Sequence, residues 1–266
     1  MRRTITGFSN PTVKFLRSLR EKKHRRRERK FLAEGLRLLT DARDSGVLPE
    51  ILVMASGRPA HPLLAELEDA VAASGGDVIE MDEEILAKVT GKDNPQAVAG
   101  VFAEFDTRLA TIERGTAPIW LVAQALRDPG NLGTMLRTGD AVGAGGLILI
   151  DDCADPFSVE AVRASMGAIF TQRIAAARWE EFLPWLRGGA GQLVAASLRE
   201  PTDYRAAAYQ APCFLLIGNE SQGLPELYEA ECDLRVTIPM RGRADSLNAA
   251  VAGAVLAYEA LAKIGN

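Results

Sequence analysis

The sequence predicts an α/β protein in two units, a small one followed by a larger one with a mainly parallel six-stranded sheet. Three observations carry this. From Ile119 onward, short and almost wholly apolar runs alternate with helical stretches, the pattern of a parallel sheet covered on both faces. Before Glu104 a shorter alternation of the same kind is closed off by "DTRLATIERGTAP", a stretch of mixed charge and weak periodicity. The chain has 266 residues, 47% of them hydrophobic, which is ample for a core and argues against disorder. The boundaries read from this are 1–105 for the first domain, with a basic arm over about 1–30, then a linker at 106–117 and a second domain at 118–266.

In the first domain "FLAEG", "PEILVMAS", "DVIEM" and "QAVAGVFAEF" read as strands. "LRLLTDARDSG", "HPLLAELEDAVAASGG" and "DEEILAKVTG" read as helices, each with glycine at its end, and the last with acids in its first turn. In the second domain the strands are "IWLVAQ", "GLILID", "TQRIAAA", "QLVAAS", "CFLLIGN" and "LRVTIPM". Between them lie "NLGTMLRTGDAVGA", "PFSVEAVRASMGA", "WEEFLPWLR", a loop and helix around "DYRAAAY", and "LPELYEAE", with "SLNAAVAGAVLAYEALAK" as the closing helix.

The net charge of −4 hides an asymmetry: Met1 to Arg37 hold 13 Lys and Arg against 3 Asp and Glu, and the rest hold 18 against 32. The focus is "REKKHRRRERK", where Lys22, Lys23, Arg25, Arg26 and Arg27 are read as a phosphate-binding arm rather than a solvated helix face. Cys153, Cys213 and Cys232 are far apart and lack CxxC spacing, so they read as reduced thiols. The two histidines, His24 and His61, are too few for a metal site and argue against histidine acid–base chemistry. No apolar run approaches the roughly 20 residues that cross a bilayer, and the start is not a secretory signal. A cytoplasmic location is expected.

Parallel sheets place ligands beyond the carboxyl ends of their strands, and three such loops stand out. "DPGNLGTMLRTG" turns on Pro129, with Asn131 a candidate cap, and then carries Arg137 among small and apolar neighbours, where it can pair with a carboxylate or phosphate. "LLIGNESQGLPE" holds Gly218, Glu220 and Gly223. "VTIPMRGRADSLNAAVAGAVLAYEA" leaves a strand at Ile238 and Met240, and Ser246 is the expected cap of the last helix, with Asn248 in its first turn. The glycines of "VGAGGLILID" precede their strand instead of following it, which excludes a dinucleotide fingerprint, and no P-loop motif is present.

Together, "DPGNLGTMLRT", "LIGNESQGLPE" and "IPMRGRADSLNAAVAGAVLAYEA" resemble the three motifs of the SpoU/TrmH class of RNA 2′-O-ribose methyltransferases, in the SPOUT superfamily. "SLREKKHRRRERKFLAEGLRLL" and "NPQAVAGVF" resemble the substrate-binding domain of its ribosomal-RNA members. The resemblance implies a SPOUT-type trefoil-knot domain and S-adenosylmethionine as methyl donor, with no metal. It also implies an RNA substrate, rRNA and 23S in particular, and a homodimer through the C-terminal domain. On that resemblance Arg137 is catalytic, Asn131 and Glu220 orient it, and Ser246 and Asn248 line the same site. Ser197, Gly218, Ile238, Met240 and Leu247 then hold the donor. A tRNA-directed enzyme of the same class and a catalytically silent RNA-binding or ribosome-assembly protein are the alternatives.

Overall fold

The computed structural model describes residues 2–91, 96–219 and 222–265. They form two compact units, one of Met1–Phe105 with Asp155–Phe170, the other of Asp106–Ala154 with Thr171–Asn266. Residues 155–170 thus join the first unit, although they lie inside the stretch that the sequence pattern reads as the second domain.

In the first unit the sheet runs β1 (Arg2–Ile5), β4 (Asp77–Met81), β3 (Ile51–Ala55), β5 (Val98–Ala103) and β2 (Lys30–Glu34). The first three are parallel and β5 is antiparallel to both its neighbours. Helices α3 (Leu36–Asp44), α4 (Pro62–Ala73) and α5 (Glu83–Thr90) fall where helical periodicity predicts them. The basic arm is folded: β1 is followed by α1 (Pro11–Ser18) and α2 (Lys22–Glu28). Asn10 caps α1 by accepting from the Thr12 amide, with Pro11 at the first helical position. Val13, Leu16 and Leu19, three apart, are fully buried in the core with Leu32, Val53 and Ile79. The density of basic residues conceals this apolar stripe. From the 155–170 segment, α7 (Val159–Ala164) and the turn to Phe170 join this unit through aromatic packing, with Phe157 5.1 Å and Phe170 6.2 Å from the Phe31 ring.

In the second unit β6 (Ile119–Gln124), α6 (Pro129–Ala141), β7 (Gly146–Ile150), β8 (Arg173–Ala177), α8 (Trp179–Arg187) and β9 (Gln192–Ala196) follow in order. Then come β10 (Thr202–Asp203), β11 (Cys213–Ile217), α9 (Glu226–Ala230), β12 (Leu234–Thr237) and α10 (Ala249–Ile264). The sheet order is β10-β12-β9-β11-β6-β7-β8, and every pairing is parallel. It has seven strands where six are expected, because the two-residue β10 is too short to carry an apolar pattern. All six residues of β6 and all five of β7 and β11 are buried, which is why these strands read as unbroken apolar runs. From β6 the chain builds outward through β7 and β8, then returns to the other side for β9, β11 and β12. Such a reversal opens a crevice at the carboxyl ends of the strands.

Candidate active site

Beyond the carboxyl ends of β12, β9 and β11, on the side of β6 to which the chain returns, lies a cavity of about 410 Å³, the size of small-ligand pockets. Its walls are the segments that leave three adjacent strands: Ala196–Arg199 after β9, Ile217–Asn219 after β11 and Val236–Met240 after β12. Asp245, Ser246, Leu247 and the start of α10 complete it. Ser197, Gly218, Ile238, Met240, Leu247 and Ser246 of the sequence reading therefore line one cavity. Ser197 is buried; its amide donates to the Val236 carbonyl and its hydroxyl accepts from the Arg199 amide at 2.9 Å, which bends the chain out of β9. A Cβ on Gly218 would meet the backbone of Gly223 and Leu224 at 2.7–2.9 Å, so only glycine lets the loop fold back there. Asn219 holds the turn by donating to the Ala125 carbonyl at 3.0 Å. Glu220 lies outside the described residues.

The α6 corner is set by Asp128, whose carboxylate accepts from the Asn131 amide at 2.6 Å, with Pro129 at the first helical position. The cap is Asp128 and not Asn131, which is already the third residue of the helix. Leu132, Met135, Leu136 and Gly139 form the buried stripe of α6 at three- and four-residue spacing. Arg137 falls off that stripe; it is exposed and has no ion pair or hydrogen bond among the described residues. At α10 the expected cap Ser246 is displaced by Asn248, whose side-chain oxygen accepts from the Ala250 and Val251 amides at 3.0 and 3.2 Å. The same side chain donates to Asn131 Oδ1 at 2.9 Å. One hydrogen bond thus ties the start of α10, at the rim of the cavity, to the start of the helix that carries Arg137.

Two further lining residues escape the sequence reading. Glu229 is buried on α9; its Oε2 accepts no hydrogen bond among the described residues and pairs with Arg199 at 3.4 Å. Arg199 also reaches Glu226 at 3.2 Å. Glu229 lies on a helix away from any strand end and Arg199 follows β9 outside the three loops singled out in the sequence, so no local pattern marks them. Burial pushes the Cys153 thiol up to about 11 and those of Cys213 and Cys232 up to about 12. None is a thiolate at neutral pH, which removes cysteine as a nucleophile.

An adenosine-bearing donor fits this cavity by its size and by its largely apolar walls, among them Leu198, Ile217, Ile238, Met240 and Leu247. Among the described residues no cluster of His, Cys, Asp and Glu could hold a metal, and no helix is long and apolar enough to cross a membrane.

Of the basic run in the first unit, Lys22, Lys23, Arg26 and Arg27 are exposed, and Arg27 pairs with Glu28 at 2.7 Å. Arg25 departs from expectation. It is 3% exposed, donates to the Leu19 and Arg20 carbonyls at 2.9 and 2.7 Å, and pairs with Asp155 at 2.6 Å. Its guanidinium is taken up inside the fold and is not presented at the surface.

A model of the SpoU rRNA Methylase family matches residues 118–258, and a model of the MRM3-like substrate binding domain matches residues 10–100. The chain is 31% identical over 255 residues to the Bacillus subtilis 23S rRNA (guanosine(2553)-2′-O)-methyltransferase RlmP, covering 96% of this chain and 97% of that protein. It is similar to an AdoMet-bound rRNA methyltransferase from Sinorhizobium meliloti, with a TM-score of 0.91, 41% identity and 97% of each chain covered. The AdoMet complex of the SpoU methyltransferase AviRb from Streptomyces viridochromogenes superposes with a TM-score of 0.85 at 28% identity, over 96% of this chain and 98% of that one.

Proposed function

The chain belongs to the SpoU rRNA methylase family, and from that premise we propose that it transfers a methyl group from S-adenosylmethionine to a ribose 2′-OH of ribosomal RNA, 23S rRNA first. The observation that carries the reading is the hydrogen bond between Asn248 and Asn131, which couples a donor-sized cavity to the helix bearing an exposed arginine that is unpaired among the described residues. Ser197, Gly218, Ile238, Met240 and Leu247 are the residues that hold the donor. Bound there, S-adenosylmethionine supplies a methyl group activated by its sulfonium.

The chain's own contribution is positional and electrostatic. Arg137 meets the ribose and its adjacent phosphate, and its positive charge stabilises the 2′ oxygen as its proton passes to water and the oxygen takes the methyl, with S-adenosylhomocysteine as the other product. Arginine is a poor base, with a pKa above about 12 in water, so stabilising the developing alkoxide is the larger part of its work. Asn131 and Asn248 hold the two helix starts in register, Ser246 lines the same site, and Glu220 completes the orienting set. Exposed Val251 and Tyr258, seven residues apart on α10, share one helix face that a second copy of the chain covers in a homodimer. The enzyme works in the cytoplasm.

The test is transfer of labelled methyl to separate pools of unmodified 23S rRNA, 16S rRNA and tRNA, with wild type beside Arg137→Ala. Label in 23S rRNA, resistant to alkali at one site, is expected. Arg137→Ala should lower turnover by at least about 100-fold, the scale for removing one preorganised donor, with donor affinity kept. Near-normal turnover by the variant would overturn the role of Arg137, and label confined to tRNA would overturn the substrate.

A further inference from the structure

The first unit contains a concavity of about 760 Å³ that no motif predicts. Four cations border it: Lys14 and Arg17 on α1, Arg20 just beyond, and Arg163 on α7. All four are exposed, and none forms an ion pair among the described residues. Two carboxylates, Glu21 and Glu160, also line the space, yet neither is within ion-pair distance of the four; Glu21 faces His24 instead, at 3.7 Å. Elsewhere in this unit basic side chains do find acids, as Arg58 does with Glu68 and Arg43 with Glu66. The lining thus holds an uncompensated excess of two positive charges around a space far larger than one small ion.

The backbone that carries the four cations is set by the fold. Val13, Leu16 and Leu19 bury one side of the α1 region and so turn Lys14, Arg17 and Arg20 outward. The Arg20 guanidinium lies over Gly91, where a Cβ would collide with it, and Gly91 has φ +73. Arg163 is fixed through α7, which the Arg25–Asp155 pair and the Phe31 cluster pin to this unit. Positive charge gathered around a concavity is what a polyanion backbone requires.

We infer that this concavity holds the phosphate backbone of the RNA substrate, with Arg163 as its contribution from the 155–170 segment. The inference rests on the RNA-methylating function above. It places the main grip on Lys14, Arg17, Arg20 and Arg163, apart from the exposed run at Lys22, Lys23, Arg26 and Arg27. Glu21 and Glu160 oppose binding by like charge.

The experiment measures affinity for an unmodified 23S rRNA transcript over a salt series, with the full chain. Each neutralised phosphate contributes roughly 0.7–0.9 to the slope of log affinity against log salt. The variant carrying Lys14→Ala, Arg17→Ala, Arg20→Ala and Arg163→Ala should therefore lose roughly 3 from that slope. Arg163→Ala alone, which removes no hydrogen bond or ion pair among the described residues, should lose somewhat under one. Glu160→Gln should tighten binding, a change of opposite sign that a merely structural cluster would not give. Circular dichroism and calorimetry with S-adenosylhomocysteine should be unchanged throughout. Wild-type slope in both the quadruple variant and Arg163→Ala, with methyl transfer intact, would overturn the inference and leave the function standing. A wild-type chain that neither binds nor methylates any RNA would remove both.

Discussion

Asp155→Ala tests why the chain returns to its first unit over 155–170. In the native chain Asp155 Oδ2 takes two bonds from Arg25, at 2.6 Å from Nη2 and 3.2 Å from Nε. The Arg25 side chain is 3% exposed and that of Asp155 12%. Removing the carboxylate leaves the guanidinium buried with only the Leu19 and Arg20 carbonyls. Breaking a buried pair from one side costs about 3–5 kcal/mol. The two carbonyl bonds that remain place the loss near the lower end, about 3 kcal/mol, or roughly 150-fold in the opening equilibrium. Trp120, Trp179 and Trp185 all lie in the second unit, so tryptophan fluorescence does not report on this event. Hydrogen exchange at the β2 and β5 amides does, and protection there should fall by that factor. A cost under about 1 kcal/mol, the scale of an exposed pair, would refute the claim that this contact anchors the segment.

The link between Asn248 and Asn131 can be separated from the cap that Asn248 provides. Asn248→Ala removes both, and should cost about 1 kcal/mol from the lost cap, read by tryptophan fluorescence, together with turnover. Asn248→Asp keeps the acceptor for the Ala250 and Val251 amides but loses the donor to Asn131, so stability should be retained and turnover should fall; full turnover in Asn248→Asp would show the link to be idle. The pH dependence of the chemical step is a further prediction. Neither histidine lies in the second unit. Its thiols sit at about 11 and 12, and burial with the Asp151 hydrogen bond pushes the Tyr228 phenol up to about 12. Single-turnover rates should therefore show no histidine or cysteine inflection between about pH 6 and 9, and a bell centred near neutrality would contradict the proposed arginine chemistry.

The strands of the second unit were legible because a doubly covered parallel strand must be apolar at every position, as in "IWLVAQ" and "CFLLI". The cavity was legible because its floor consists of strand ends, where Gly218, Ile238 and Met240 sit by rule. The caps lie three and two positions from those expected, since Asp, Asn and Ser are all good caps and only geometry chooses Asp128 and Asn248 among them. Folded structure in the basic arm was missed because Val13, Leu16 and Leu19 are sparse among lysines and arginines. Glu229 and Arg163 left no signal, as each meets its neighbours only through contacts distant in sequence.

Arg25 shows how charge counting misleads and how it can be repaired. In the run at Lys22 to Arg27 it is indistinguishable by composition from its neighbours, yet it is the one whose charge is neutralised inside the fold. Lys14, Arg17 and Arg163 lie outside any run, and they stay unpaired among the described residues. A cluster in sequence shows only where positive charge is concentrated. Which charges remain available depends on the acids that folding brings to each one. Asp155 is 130 positions from Arg25 and removes one cation from the surface. The segment that begins with it presents another, Arg163, beside α1. The return of 155–170 to the first unit therefore redistributes positive charge from the run to the concavity, and RNA binding should follow that redistribution rather than the run.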